Sequence, residues 1–222
     1  MWRHCEYCTV TVSGCQITVS DKLKTFCVTL DAARTFDDYV NYVAKACNFY
    51  MWGLCHIRRS ISRDVVNIMA ACIVGTRVVY CNALLHCTTD KSLNKLQRAQ
   101  NKLARIVSNV TTLQQHTVVL LPNLHWLPIR SRITFKVATS CYNAYRISQP
   151  IYLLDTLEQY VSCRGQRSAE MDLLTVPTPR TKTAERRFSS AAPTVWNGLP
   201  LVIRNSDNIG TFKSHISASI PS

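Results

Sequence analysis

Five basic side chains are spaced so that they would share one face of a single helix. They follow one another at intervals of 4, 3, 4 and 3 residues, and they are Lys91, Lys95, Arg98, Lys102 and Arg105. At about 100° per residue, these positions fall within an arc of roughly 80°. A ridge of cations suits a phosphate backbone, because each neutralised phosphate releases counterions. The alternative interpretation is a helix face that is merely solvated.

The charge around this ridge has only one sign. Between Lys91 and Leu154 the chain has nine Lys or Arg residues and no Asp or Glu, and the four that follow the ridge are Arg130, Arg132, Lys136 and Arg146. Residues 1–90 are nearly balanced, so most of the net charge of +13 lies after them. Solvated faces usually mix both signs. We therefore favour nucleic-acid binding, with Arg130, Arg132 and Lys136 extending the ridge.

A pair of acidic residues invites comparison with polymerase chemistry. Asp37 and Asp38 are adjacent, as are the aspartates that hold two divalent metals in such enzymes. A polymerase pair sits on a turn between strands and needs a third carboxylate from an earlier strand. Here the pair opens a helical pattern, where acidic residues stabilise the helix dipole. We therefore interpret both as helix-start residues and expect no catalytic residues.

A zinc site is the other possibility that spacing raises. Cys5 and Cys8 have ligand spacing, with His4 and Cys15 nearby, but no second Cys-x-x-Cys or His pair follows. A Gly-rich phosphate loop and the common hydrolase motifs are also missing from the sequence. We expect no metal and no cofactor.

The elements that must position these residues can be inferred from patterning. Alternating β-branched residues predict short strands at 9–12, 16–19 and 26–30. Apolar periodicity predicts four helices. The first runs from Phe36 to about Arg59 and the second from after Ser62 to about Leu85. The third begins at a cap, Thr89 or Asp90, and the fourth begins at Pro128. The last of these has an apolar side made of Ile129, Ile133, Val137 and Cys141.

After Pro150 the pattern becomes irregular. Further prolines break it into short pieces, at Pro177, Pro179, Pro193 and Pro200, and a last helix is expected near Thr211 to Ile220. The predicted fold class is mainly α: short N-terminal β strands, a helical bundle and an irregular C-terminal region.

Composition bounds the class of protein. With 222 residues, 47% apolar and 18% charged, the chain can bury a core and is not a disordered basic tail. Its 11 Cys are odd in number and irregularly spaced, which favours a reducing compartment. The N-terminus lacks the apolar core of a signal peptide. We expect an intracellular protein, in nucleus or cytoplasm, that is not secreted.

One apolar segment, from Val65 to Leu85, could be mistaken for a membrane span. Arg77 lies inside it, and a central Arg costs at least about 2.5 kcal/mol in a bilayer. Its unbroken apolar part is too short to span. We interpret it as a buried helix and expect no membrane partner.

Two tryptophans lie in Leu- and Pro-flanked segments. Trp126 and Trp196 could stack on bases if exposed. Their apolar neighbours instead favour packing anchors at the joints between elements.

Short segments along most of the chain form an ordered series. They are Val28–Asp31, Thr35-Phe36, Arg77–Leu85, Leu96–Asn101, Leu124–Ile129, Arg132-Ile133, Phe135-Lys136, Leu174–Pro177, Arg187–Ser189, Ala192-Pro193, Trp196–Pro200, Arg204 and Phe212-Lys213. This series resembles the reverse transcriptases of non-LTR retrotransposons (LINE elements of the jockey superfamily). The chain departs from the family at Phe26-Cys27, where Leu-Gly is usual, at Arg77–Asn82, which lacks an acid, and at Glu185, where Gly is common.

The resemblance implies a fragment of such a polymerase. Residues 1–33 would be the end of the palm, near the primer grip; residues 34–147 a helical, thumb-like domain; and residues 148–222 an irregular basic C-terminal region. The catalytic aspartates and the endonuclease domain would lie outside it. The expected partner is an RNA or DNA duplex, such as a template–primer, held by its phosphate backbone. No enzymatic activity and no small-molecule substrate are expected.

Two alternatives remain open at the level of sequence. The chain could be a helical protein-interaction module adapted from the retrotransposon, or a translated relic with no function. Salt dependence separates phosphate binding from a protein interface, because only the former weakens steeply as salt rises.

Overall fold

The structure is a computed structural model that describes residues 9–18, 20–110, 117–161 and 172–219. Its strands are β1 (Thr9–Val12), β2 (Cys15–Thr18), β3 (Lys22–Thr25) and β4 (Val28–Asp31). Its longer helices are α1 (Asp37–Ile57), α2 (Arg63–Ala70), α4 (Asp90–Ser108), α5 (Thr117–Asn123), α6 (Ile129–Arg146), α9 (Phe188–Asn197) and α11 (Ile209–Ser219). Single helical turns form α3 (Thr76–Val79), α7 (Ile151–Leu154), α8 (Lys182–Glu185) and α10 (Leu201–Arg204). The predicted fold class, mainly α with N-terminal strands, is confirmed.

The strands form two separate antiparallel hairpins, β1–β2 and β3–β4. The second hairpin differs from the prediction, because Phe26 and Cys27 form its turn with φ of 45° and 61° rather than beginning a strand. Two successive residues of positive φ give the turn twist that a two-residue hairpin requires. The strand consequently starts at Val28, which is buried against the helices.

The corner between β4 and α1 is organised by one carboxylate. Asp31 accepts hydrogen bonds from the Thr35 backbone N–H at 3.0 Å, from the Thr35 hydroxyl at 2.7 Å and from the Phe36 N–H at 3.2 Å. Phe36 adopts a left-handed conformation, with φ of 61°, and its ring is buried. The corner thus sets where α1 begins, close to the residue predicted from sequence.

The helix predicted to run from Ser62 to about Leu85 ends earlier. After α2 the chain makes a π turn at Ala71–Gly75, continues as α3 only to Val79, and then forms a 3₁₀ turn at Asn82–Leu85. Cys81 has a positive φ of 51°, which a regular helix cannot include. Gly75 also has low helix propensity. Within the described ranges, no helix combines the length and the apolar character needed to cross a membrane.

Helix α6 lies at the centre of the core. Its predicted apolar side, Ile129, Ile133, Val137 and Cys141, is buried as expected. Pro128 precedes the helix as its N-cap instead of being its first residue. Helices α9 and α11 pack on α6, so Trp196 and Phe212 join the same buried cluster as Val40 and Leu96.

Helix α9 corrects the expectation that Pro193 breaks the chain. The helix continues through Pro193, although this residue cannot donate a backbone hydrogen bond. Ala191, Ala192 and Trp196 are buried on either side of it. Burial of these side chains offsets the missing bond.

Candidate nucleic-acid interface

One side of α4 is fixed by packing against α1, α2, α5 and α6. Its buried apolar side chains are Leu93, Leu96, Ala99, Leu103, Ala104 and Val107. Two buried polar residues add directional contacts: Gln100 donates to the Leu127 carbonyl at 2.8 Å, and the Ser92 hydroxyl donates to Asp37. These contacts set the rotation of α4 about its own axis and therefore decide which side chains face outward.

The outward side of α4 presents the cationic ridge. Lys91, Lys95, Arg98 and Lys102 are exposed, and Lys95 donates to the Asn41 side chain of α1. Arg105 is only half-buried, and its Nε has no hydrogen-bond partner. In the part of the chain that the structure describes, no carboxylate forms an ion pair with any of the five. The spacing thus correctly predicted a shared exposed face for Lys91, Lys95, Arg98 and Lys102, whereas Arg105 is partly withdrawn from it.

The three α6 cations have different environments. Arg130 is exposed and forms an ion pair with Asp90, with 2.5 Å between Nη2 and Oδ1. Arg132 is half-buried, donates through Nε to the Leu127 carbonyl at 2.7 Å, and has its pKa lowered by burial. Arg132 and exposed Lys136 line a cleft that also includes Leu103. Since Leu103 lies on the buried side of α4, these two cations border that side rather than the ridge.

A second group of cations surrounds the C-terminal ends of α1 and α4. Arg58 and Arg59 follow α1, and together with Lys102 and Arg105 they line a cavity of about 230 Å³. Arg58 donates to the carbonyls of Ile106 at 3.1 Å and of Val107 at 3.2 Å, so it caps α4. Sequence reasoning missed the pair after α1, because only the packing of α1 on α4 brings it beside the ridge.

The acidic pair lies in the first turn of α1, as the helix-start interpretation expects. Asp38 forms an ion pair with Lys22 at 2.7 Å, and Asp37 accepts the hydrogen bond from Ser92. Among the residues described, no three His, Cys, Asp or Glu side chains come together in a way that could hold a metal ion. His4, Cys5 and Cys8 lie outside the described residues, and Cys15 is exposed.

The two tryptophans are placed differently. Trp196 is fully buried, donates through Nε1 to the Asp172 carbonyl at 2.9 Å and stacks on Phe212, which confirms the packing role. Trp126 is half-buried and forms one wall of the cleft beside Arg132.

No protein-family model, no curated protein and no solved structure matches this chain.

Proposed function

We propose that this chain binds nucleic-acid duplex through the phosphate backbone, as the thumb-like part of a non-LTR retrotransposon reverse transcriptase. The observation that carries the proposal is the exposed ridge of Lys91, Lys95, Arg98 and Lys102 on a helix whose other side is fixed in the core. A positively charged, pre-oriented surface lowers the cost of ordering side chains on a phosphate backbone.

The length of the ridge suits several phosphates. From Lys91 to Lys102 the helix rises about 16 Å, at about 1.5 Å per residue. One strand of duplex carries a phosphate roughly every 3.4 Å along its axis. The ridge therefore spans about five phosphates of one strand. The cavity lined by Arg58, Arg59 and Arg105 continues the same basic surface at the end of α4.

The family resemblance adds to this argument. Its segment Leu96–Asn101 lies within α4, and its segment Val28–Asp31 with Thr35-Phe36 builds the corner from which α1 starts. In the family, the helices after this corner would form the thumb that holds the template–primer duplex.

The proposal includes no polymerase chemistry by this chain itself. Asp37 and Asp38 are engaged by Ser92 and Lys22, contacts that suit a helix start better than a two-metal site. Primer extension with purified protein and Mg²⁺ or Mn²⁺ tests this point. No incorporation is expected, and reproducible incorporation would contradict the proposal.

The binding claim is tested with two triple variants of equal charge. Lys91, Arg98 and Lys102 are exposed on the ridge, whereas Arg63, Arg180 and Lys213 are exposed on segments other than α1 and α4. Replacing the ridge set with Gln should weaken binding to a duplex by about ten-fold or more at moderate salt. Replacing the control set with Gln should change duplex affinity far less. DNA and RNA should be affected about equally, because backbone contacts carry no base information. Equal losses in both variants would mean that net charge alone attracts the duplex.

A protein-interaction module is the second candidate, and exposed aromatic residues on α1 favour it. Tyr42, Phe49 and Trp52 are 55%, 70% and 66% exposed. Large exposed apolar side chains on one element are a feature of protein interfaces. Replacing Phe49 and Trp52 with Ser should leave duplex binding intact if the ridge is the functional surface. A loss of duplex binding in that variant would count against the ridge.

A further inference from the structure

A cleft of about 570 Å³ opens on the side of α4 opposite the ridge. It lies between the π turn with α3 and the first half of α6, and its walls are largely apolar: Val74, Val78, Val79, Leu103 and Trp126. Its volume falls within the range of about 300–1,000 Å³ that is typical of small-molecule sites. A π turn inside a helix is also frequent at functional sites.

Two cations border the same cleft. Arg132 and Lys136 are four residues apart on α6, so they lie on one face of that helix. The Arg132 Nε bonds the Leu127 carbonyl at 2.7 Å, which leaves the terminal guanidinium nitrogens for another acceptor. Neither residue forms an ion pair within the described ranges. A half-buried guanidinium without a counter-ion is costly, so an anion in the cleft would stabilise it.

The other polar side chains of the lining already have partners. Gln100 donates to the Leu127 carbonyl at 2.8 Å, Thr76 to the Cys72 carbonyl at 2.5 Å, and Tyr80 to the Phe26 carbonyl at 2.8 Å. A nucleobase or a sugar needs hydrogen-bond partners, and this lining offers few that are not already engaged. An apolar ligand group needs no hydrogen-bond partners, because burial of its apolar surface alone stabilises the complex.

We propose that this cleft binds a small amphipathic anion, a carboxylate carried by an unbranched acyl chain. The carboxylate sits on Arg132 and Lys136, and the chain lies along the accessible lining residues Ala71, Val79 and Trp126. The site is separate from the ridge and does not depend on nucleic-acid binding.

Displacement of the fluorescent anion 8-anilinonaphthalene-1-sulfonate from the full chain by decanoate tests the proposal. Decanoate should compete at least about ten-fold better than decanol, which has the same chain without the charge. Arg132→Gln and Lys136→Gln should each weaken decanoate by about five-fold or more, because each removes a charged partner. Lys95→Gln, on the ridge, should leave it unchanged.

A second pair of variants tests the cleft by its shape. Val79 lies in the wall and is partly exposed, so Val79→Trp should fill the cleft and abolish decanoate binding while the protein still folds. Val65→Trp places the same ring at an exposed position that does not line the cleft and should have no effect. Duplex binding should be retained in both.

Three results would overturn the proposal. They are equal competition by decanol and decanoate, unchanged decanoate binding in Val79→Trp, and tighter binding of adenosine monophosphate than of decanoate. Should Arg132→Gln fail to fold, Lys136→Gln and Val79→Trp decide the matter, since both replace exposed side chains.

Discussion

Arg130 at the start of α6 contacts Asp90 at the start of α4, with 2.5 Å between Nη2 and Oδ1. Asp90 is the only acidic residue in the sequence of α4. The pair is exposed, with side-chain accessibilities of 58% and 80%, so it holds the two helix starts together only weakly. Its main consequence is electrostatic, because Arg130 neutralises a negative charge that is directly next to Lys91 of the ridge.

Removal of this negative charge should strengthen duplex binding. Asp90→Asn frees Arg130 and should raise duplex affinity about two-fold at low salt. The free energy of unfolding should fall by less than about 1 kcal/mol, since an exposed pair and one helix-start charge are lost. Duplex titration and urea unfolding measure the two effects. Unchanged duplex affinity in Asp90→Asn would show that the duplex does not approach this end of α4.

Asp31 should make the fold sensitive to acid. Burial alone would raise the pKa of Asp31, but hydrogen bonds from Thr35 and Phe36 outweigh it and lower that pKa. A carboxylate with a lowered folded-state pKa stabilises the fold above its unfolded value of about 3.9, and this contribution is lost as pH falls through the folded value. Asp31→Ala should cost about 1–3 kcal/mol at pH 7.

Asp31→Asn is the control for charge, because the amide keeps the shape and one acceptor. Its unfolding free energy should lie between those of wild type and Asp31→Ala at pH 7. The difference from wild type should shrink below about pH 4. A difference that stays constant with pH would mean that the carboxylate charge does not contribute.

Trp196 should be essential to the stability of the whole described fold. It is fully buried between α6 and α11, so Trp196→Ala should lower the free energy of unfolding by about 3–5 kcal/mol. Trp52→Ala removes the same ring from a site that is 66% exposed and should change it by less than about 0.5 kcal/mol. Similar losses of unfolding free energy in the two variants, measured by urea unfolding, would contradict the assignment of Trp196 to the core.

The cysteines should differ sharply in reactivity. Burial raises the pKa of Cys47 to about 11 and that of Cys141 to about 12. Cys55 and Cys72 are exposed. Iodoacetamide at pH 8 should therefore modify the exposed pair first, because the thiolate is the nucleophile and must be reachable. Mass spectrometry of native protein gives the order, and early modification of Cys141 would contradict the described core.

Strong helical periodicity was sufficient to predict much of the fold from sequence. Helices α1, α4 and α6 follow their apolar faces closely, because burial of one face outweighs weak local preferences. The end of the second predicted helix was missed, since the π turn and the left-handed Cys81 depend on tertiary packing. Helix α9 was missed because Pro193 dominates its local pattern, while the stabilising burial of Trp196 involves distant residues.

The position of the ridge could be predicted from sequence, but its surroundings could not. The ridge follows from the spacing of one helix, which fixes which residues share a face. The separation of Arg132 from the ridge could not be inferred, because it depends on how α6 packs against α4. The same holds for Arg58, which reaches the Ile106 carbonyl only when α1 and α4 are side by side.

The salt dependence of duplex affinity tests the central claim most directly. For wild type, the logarithm of the binding constant should fall linearly with the logarithm of salt concentration, by about 0.9 per phosphate contact. Replacing Lys91, Arg98 and Lys102 with Gln should reduce this slope by about three units. The control triple at Arg63, Arg180 and Lys213 should keep the wild-type slope. An unchanged slope in the ridge variant would contradict the account.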